Sequence, residues 1–297
     1  MEGFYILYQK FNNIRHYNTF IILILIGFIM FTIEYFIGLI LIGIVVGLLS
    51  GMLGVGGGFL MVPFQYFLFS YIGIQSQYGL LTSLGTSLAI IIPTAISGAY
   101  EHSRKLEDII ELGIKLGIFG IIGGFIGGLV ANLIPYWILQ LIFAFVLLLV
   151  LIKNTVSFKK EENKGIFTFN QLTLGLTGFF VGVSAGLLGI GGGLFLIAIL
   201  TAFFGFSPIK SIGISSIFIA LTAIGGTVSY IISGWGSNPI PYTIGFVSII
   251  NFIVISCFSV PLAKIGAKYA HKIPEKYLKI LLIIGIIYIE IKMLGVI

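Results

Sequence analysis

The sequence predicts an all-α polytopic membrane protein: two inverted repeats, each with a re-entrant or broken glycine-rich helix plus three spans, preceded by one extra N-terminal helix, for about seven full spans. Three observations carry this expectation. Of 297 residues, 58% are apolar and 9% charged, against about 45–50% and about 25% in soluble domains. The apolar residues fall into long runs of membrane-spanning length. Two of those runs are over-long, broken by glycine clusters, and copies of one another.

The composition excludes several classes. With a mean hydropathy of +1.16 and 40 glycines, the chain is neither a soluble enzyme nor disordered. Sixteen Lys+Arg spread over its length form no nucleic-acid-binding patch, so no nucleic acid partner is expected. Cys257 is the single cysteine, and no His/Cys set has metal-ligand spacing, so neither metal nor cofactor is indicated. His16, His102 and His271 each stand near a span boundary and read as solvated loop residues.

Along the chain, a basic tail with Lys10 and Arg15 precedes the apolar run Thr19–Ile33. No small-x-small cleavage pattern follows, so the run reads as a retained first transmembrane helix, within a segment 1–35. Next come Phe36–Phe69, Gly79–Tyr100, Leu112–Leu133 and Trp137–Ile152, forming repeat 1 over 36–152. A polar linker, 153–170, leads to repeat 2 over 171–297, with Leu172–Phe204, Ile212–Gly234, Tyr242–Leu262 and Leu278–Ile291. Phe36–Phe69 and Leu172–Phe204 are each generous for one span and short for two. Each contains three consecutive glycines, which weaken a helix by roughly 1 kcal/mol per residue relative to alanine. Both are expected to be broken helices.

Their duplication is direct. Gly43–Pro63 aligns with Gly178–Ala198 with nine identities in 21 positions, among them Gly54/Gly189 and Gly56, Gly57, Gly58/Gly191, Gly192, Gly193. Ser83–Tyr100 then aligns with Ser211–Val228 with eight identities in 18, including Ser83/Ser211, Ser87/Ser215, Ile91/Ile219, Thr94/Thr222 and Gly98/Gly226. The shift of register between these blocks falls in the intervening loop, where changes of length cost little.

Charge sets the expected topology, because cytoplasmic loops are enriched in Lys and Arg. If each broken segment is a hairpin that enters and leaves on one side, 15 of the 16 basic residues lie inside. If both segments cross, the basic residues divide evenly. The hairpin arrangement is therefore preferred; it leaves an odd number of spans per repeat and so inverts the repeats. It places the chain in the cytoplasmic membrane with the N-terminus and the 153–170 linker cytoplasmic.

Inverted repeats with interrupted helices are a transporter architecture, with the solute near the midplane. The half-helices that follow the clusters begin at Phe59 and Leu194, where free N–H groups and a positive dipole end suit an anion. Candidate substrate-binding residues are Gly54, Gly56, Gly57, Gly58, Thr86 and Ser87 in the first half, and Gly189, Gly191, Gly192, Gly193, Ser215 and Ser216 in the second. Thr86 is not duplicated, since Ile214 occupies the matching position. No Asp, Glu, Lys or Arg lies near the middle of a full span, which argues for a uniporter or channel-like carrier over a proton-coupled one.

The doubled G-x-x-S/A-G-x-x-G-x-G-G-G, followed in the first copy by Val62-Pro63 and by Gly85-Thr86-Ser87-Leu88, resembles the sulfite exporter TauE/SafE family, also called the toluenesulfonate uptake permeases. The similarity runs from about residue 36 through nearly the whole remaining chain. It implies transport of small sulfur-containing anions such as sulfite, sulfonates or sulfoacetate across the cytoplasmic membrane. The second half departs from the pattern, with Ala198 for the proline and Gly213-Ile214-Ser215-Ser216 for G-T-S-L.

The expected partners are thus a small anionic substrate and the lipid bilayer, and a homo-oligomer is compatible with the sequence. The competing reading is a non-transporting accessory or scaffold protein whose glycines only pack helices. An intramembrane enzyme lacks support, because no nucleophile–base pair or carboxylate dyad sits in a span.

Overall fold

In a computed structural model, the described residues are 32–104, 109–156 and 170–269. They are nearly all helical: α1 (Ile33–Leu53), α2 (Gly58–Tyr71), α3 (Ser76–Ser103), α4 (Ile109–Leu133), α5 (Tyr136–Val156), α6 (Gln171–Leu188), α7 (Gly193–Ala202), α8 (Pro208–Ser233) and α9 (Ile249–Tyr269). A two-stranded ribbon, β1 (Thr243–Ile244) and β2 (Val247–Ser248), precedes α9. Six of these helices, α1, α3, α4, α6, α8 and α9, are long and apolar enough to cross a membrane. The chain is a multi-pass membrane protein. The expected helix over 19–33, the last span over 278–291 and most of the 153–170 linker lie outside the described residues.

Local chemistry starts the helices where the chain turns. Thr32 caps α1 by accepting from the Tyr35 N–H at 3.3 Å. Asn170 and Thr173 form a reciprocal capping box at the start of α6. Ser207 caps α8, with Pro208 at its first position, where the missing N–H costs nothing.

The broken stretches divide unevenly. The 21-residue α1 is about 30 Å long, and the 14-residue α2 returns along it, so that the rings of Tyr35 and Phe69 lie 6.3 Å apart. Both ends of this hairpin are therefore at one end of the bundle. In the second half, α6 has 18 residues and α7 only 10.

Packing is set by small residues. On α4 the large side chains Ile110, Ile114, Ile118, Ile122 and Ile126 point outward, while Gly113, Gly117, Gly120, Gly124 and Gly128 face inward. This is the arrangement of a helix solvated by lipid on one side and pressed against neighbouring backbones on the other. A Cβ on Gly182 would stand 2.6 Å from the Gly120 carbonyl oxygen, and one on Gly113 would stand 2.7 Å from the Ile217 side chain. Gly113 thus has the packing role expected for an isolated glycine in a membrane helix.

The partners are exchanged between the two halves. Helix α4 packs on α6 and α8, whereas α9 packs on α1 and α3. Gly47 meets Ser259 where Gly182 meets Gly120, and Gly51 meets Ala263 where Gly186 meets Gly124. Ser259 and Ala263 on α9 therefore take the places of Gly120 and Gly124 on α4. Contacts between Gly85 and Tyr230, and between Gly226 and Leu88, make α3 and α8 antiparallel.

Two expectations change. The apolar run Tyr242–Leu262 does not begin as helix: Thr243 pairs with Ser248 and Ile244 with Val247. Pro239 and Pro241 withhold N–H donors, Tyr242 and Gly245 have positive φ, and β-branched residues suit the short strands. His102 is not a solvated loop residue either. It is 2% exposed and its Nε2 lies 3.1 Å from the Gly51 carbonyl oxygen, because α3 continues past Tyr100 alongside the end of α1.

Candidate functional site

The two glycine clusters fold into the same backbone shape. Gly54 ends α1 with φ 62° and its N–H donates to the Ser50 carbonyl, while Gly189 ends α6 with φ 66°. Gly56 and Gly57 then have φ of 80° and 70°, matched by 75° and 78° at Gly191 and Gly192. Side chains oppose this left-handed region, which accounts for three of the four glycines in each G-x-G-G-G block.

The fourth has another cause. A Cβ on Gly58 would stand 2.7 Å from the Gly189 carbonyl oxygen and from Ile190 Cα. A Cβ on Gly193 would stand 2.8 Å from Val55 Cα and 2.9 Å from the Gly54 oxygen. The loops meet backbone to backbone at the centre of the molecule, and neither could carry an alanine there without separating them.

Serines tie the contact from the opposite half. Ser87 on α3 donates to the Gly189 carbonyl at 2.8 Å, and Ser215 on α8 donates to the Gly54 carbonyl at 3.0 Å, with the Gly193 carbonyl at 3.4 Å. Both serines are wholly buried. Among the other candidates, Thr86 accepts from the Ser248 N–H at 2.8 Å, and Ser216 donates to the Ile212 carbonyl of its own helix. The structure therefore brings all the glycine candidates and two of the hydroxyls together, and places Thr86 and Ser216 on neighbouring backbone.

The helices leaving these loops, α2 and α7, have no side-chain cap. Their first N–H groups are served by no side chain, which is the electrostatic condition for receiving a negative group. The duplicated Ile91 and Ile219 lie against both loops: Gly56 faces both, as does Gly191, and both isoleucines are buried. They fill the space in front of the glycines in this conformation.

Five residues near the loops have roles that the sequence does not reveal. Tyr35, Gln65 and Asn251 form a buried polar chain, and His102 with Tyr230 occupies matched positions, Tyr230 donating to the Leu187 carbonyl at 3.4 Å. A lone amide such as Gln65 inside an apolar run was the available signal for the first group. A separate crevice of about 280 Å³ between α3, α4 and α8 is lined by Ile96, Tyr100, Ile217, Leu221 and Ile224 among others. Its apolar wall suits lipid tails rather than a polar solute.

The model of the family described as Sulfite exporter TauE/SafE matches residues 39–293. A "Probable membrane transporter protein" of Haemophilus influenzae is 31% identical over 243 residues, covering 80% of this chain and 90% of that protein. A protein of the same description from Methanocaldococcus jannaschii is 32% identical over 252 residues, covering 82% and 90%. A third, from Bacillus subtilis, is 29% identical over 249 residues, covering 81% and 93%. No solved structure gives a significant match.

Proposed function

Since the chain belongs to the sulfite exporter TauE/SafE family, we propose that this membrane transporter carries small sulfur-containing oxyanions, with sulfite, sulfonates and sulfoacetate as the candidate class, across the cytoplasmic membrane. The observation that carries the reading is the pair of uncapped helix starts behind left-handed glycine loops that abut at the centre of the bundle. Amides of Gly56, Gly57, Gly58, Gly191, Gly192 and Gly193 supply donors without side chains in the way, and the dipole ends of α2 and α7 add a fixed positive field. Gly54 and Gly189 set the turns. Ser87 and Ser215 hold those turns in place, while Thr86 and Ser216 are engaged by the Ser248 N–H and the Ile212 carbonyl.

The antiparallel crossing of α3 and α8, helices aligned to each other in sequence, supports two halves inverted in the bilayer. In this reading the N-terminus and the 153–170 linker face the cytoplasm, and the solute passes when Ile91 and Ile219 move off the loops. An inside-negative potential would then favour outward flow of the anion. Among the described residues, no Asp, Glu, Lys or Arg is a nearest neighbour of the loop glycines, and the titratable group beside the first loop is the buried His102, next to the Gly51 carbonyl oxygen.

Purified protein in liposomes provides the test. Radiolabelled sulfite and sulfoacetate should enter or leave in a saturable way, while a cation such as choline and a neutral sugar should not. Equal passage of all four solutes, or none of any, refutes the reading and returns the glycines to helix packing.

A further inference from the structure

Helix α2 carries one amide, Gln65, about two turns and roughly 10 Å beyond the glycine loop. It is wholly buried, as are Tyr35 on α1 and Asn251 in the first turn of α9. Tyr35 Oη donates to Asn251 Oδ1 at 2.8 Å, and Asn251 Nδ2 donates to Gln65 Oε1 at 3.1 Å. The chain of donors ends there, because Gln65 Nε2 has no hydrogen-bond partner among the described residues.

An amide N–H₂ sealed among apolar helices without an acceptor is costly, and selection has simple apolar replacements for it. Two polar side chains from two other helices, Asn251 and behind it Tyr35, are spent on orienting that one group. Nearby, Thr86 accepts from the Ser248 N–H, and Thr82 accepts from Asn238 Nδ2 at 3.0 Å. Neither hydroxyl accepts from the Gln65 amide, whose hydrogens meet no protein acceptor among the described residues.

The other half has no counterpart. The register that matches the glycine clusters puts Asn170 and Leu200 in the places of Tyr35 and Gln65. Asn170 is consumed in the cap of α6, and Leu200 is apolar core. The polar chain is thus a property of one side of the loops only, the side where α1 starts and α2 ends.

We propose that Gln65 is a solute contact: its Nε2 donates to an oxygen of the anion on one side of the glycine loops, with Asn251 and Tyr35 as positioning residues. This rests on the anion reading above, and it makes the two faces of the transporter unequal, one with an amide subsite and one without.

Sulfite transport in liposomes and the thermal midpoint of the purified protein, with and without sulfite, test it. Gln65→Leu and the isosteric Gln65→Met should each raise KM about tenfold or more, the worth of a hydrogen bond to a charged acceptor. Their midpoint without sulfite should change little, since the unpaired Gln65 N–H₂ is exchanged for an unpaired Asn251 N–H₂. Tyr35→Phe should raise KM by a smaller factor that disappears in the Gln65→Leu background, which a purely structural tyrosine would not do. A wild type that carries sulfite with KM unchanged in Gln65→Leu and Gln65→Met overturns this inference alone. A wild type that carries no sulfite, sulfonate or sulfoacetate overturns the anion reading and this inference with it.

Discussion

Replacing Ser87 by alanine separates two roles that a serine beside a glycine loop can have. In the structure its hydroxyl is 0% exposed and donates to the Gly189 carbonyl at 2.8 Å. That carbonyl belongs to the turn that ends α6. Losing the bond costs about 1 kcal/mol, and up to about 3 kcal/mol if the buried oxygen finds no other donor. For a chain of 297 residues that is a fall of roughly 2–5 °C in thermal midpoint. Ser215→Ala should behave alike, through the Gly54 carbonyl. Because the two loops touch, the double variant should not be the sum of the singles. The assay pairs a thermal midpoint in detergent with KM for sulfite in liposomes. The expected outcome is a lower midpoint with KM within about threefold of wild type, small beside the tenfold worth of a lost solute contact. A raised KM with an unmoved midpoint would refute this reasoning and make the serines solute ligands, the role that the sequence pattern suggests for them.

Other consequences can be checked with the same preparations. Gly58→Ala should destabilise by about 1–3 kcal/mol through contact with the other loop. Gly98→Ala, at an equally duplicated position, should be neutral or stabilising by about 0.5–1 kcal/mol, because its Cβ would meet only Gly51 Cα at 3.8 Å; thermal midpoints decide. Ile91→Ala and Ile219→Ala empty the space in front of the loops, so turnover should rise in liposomes, and a folded variant with reduced turnover would argue against displacement of these side chains during transport. With the exposed Cys257 replaced by serine, Gln75→Cys and Ser207→Cys should label from opposite sides with a membrane-impermeant thiol reagent. Labelling from one side would refute inversion.

Much of the architecture was readable because a membrane makes hydropathy report directly on spans. The break sites were readable for a different reason: left-handed backbone and backbone-to-backbone contact both demand glycine, so Gly54, Gly56, Gly57 and Gly58 reappear as identities at Gly189, Gly191, Gly192 and Gly193. The matching packing of α4 and α9 was hidden. Their contacts require small residues rather than a particular one, so Gly120 can be answered by Ser259 and Gly124 by Ala263 without leaving identities. The ribbon at Thr243–Ser248 was hidden because an apolar run has no period that separates a short strand from the start of a helix. Ser87 and Ser215 were found by their repetition, but nothing local revealed that each hydroxyl would reach a carbonyl in the opposite half. Gln65 and Asn251 stand nearly two hundred residues apart, and only the fold joins them.

The exchange of partners between halves bears on how the molecule is made. As the ribosome releases the chain, α1 and α3 enter the bilayer with the glycine face of α1 at Gly43, Gly47 and Gly51 uncovered, because the helix that covers it is α9. More than two hundred residues separate the end of α1 from the end of α9. At synthesis rates of about 5–20 residues per second, the early helices wait roughly ten to forty seconds for their cover. During that wait α4 is equally unfinished, since α6 and α8 follow it. A chain stopped before α9 would leave α1 and α3 with lipid or an insertion chaperone against their small residues, and the first half would have no finished form to adopt by itself.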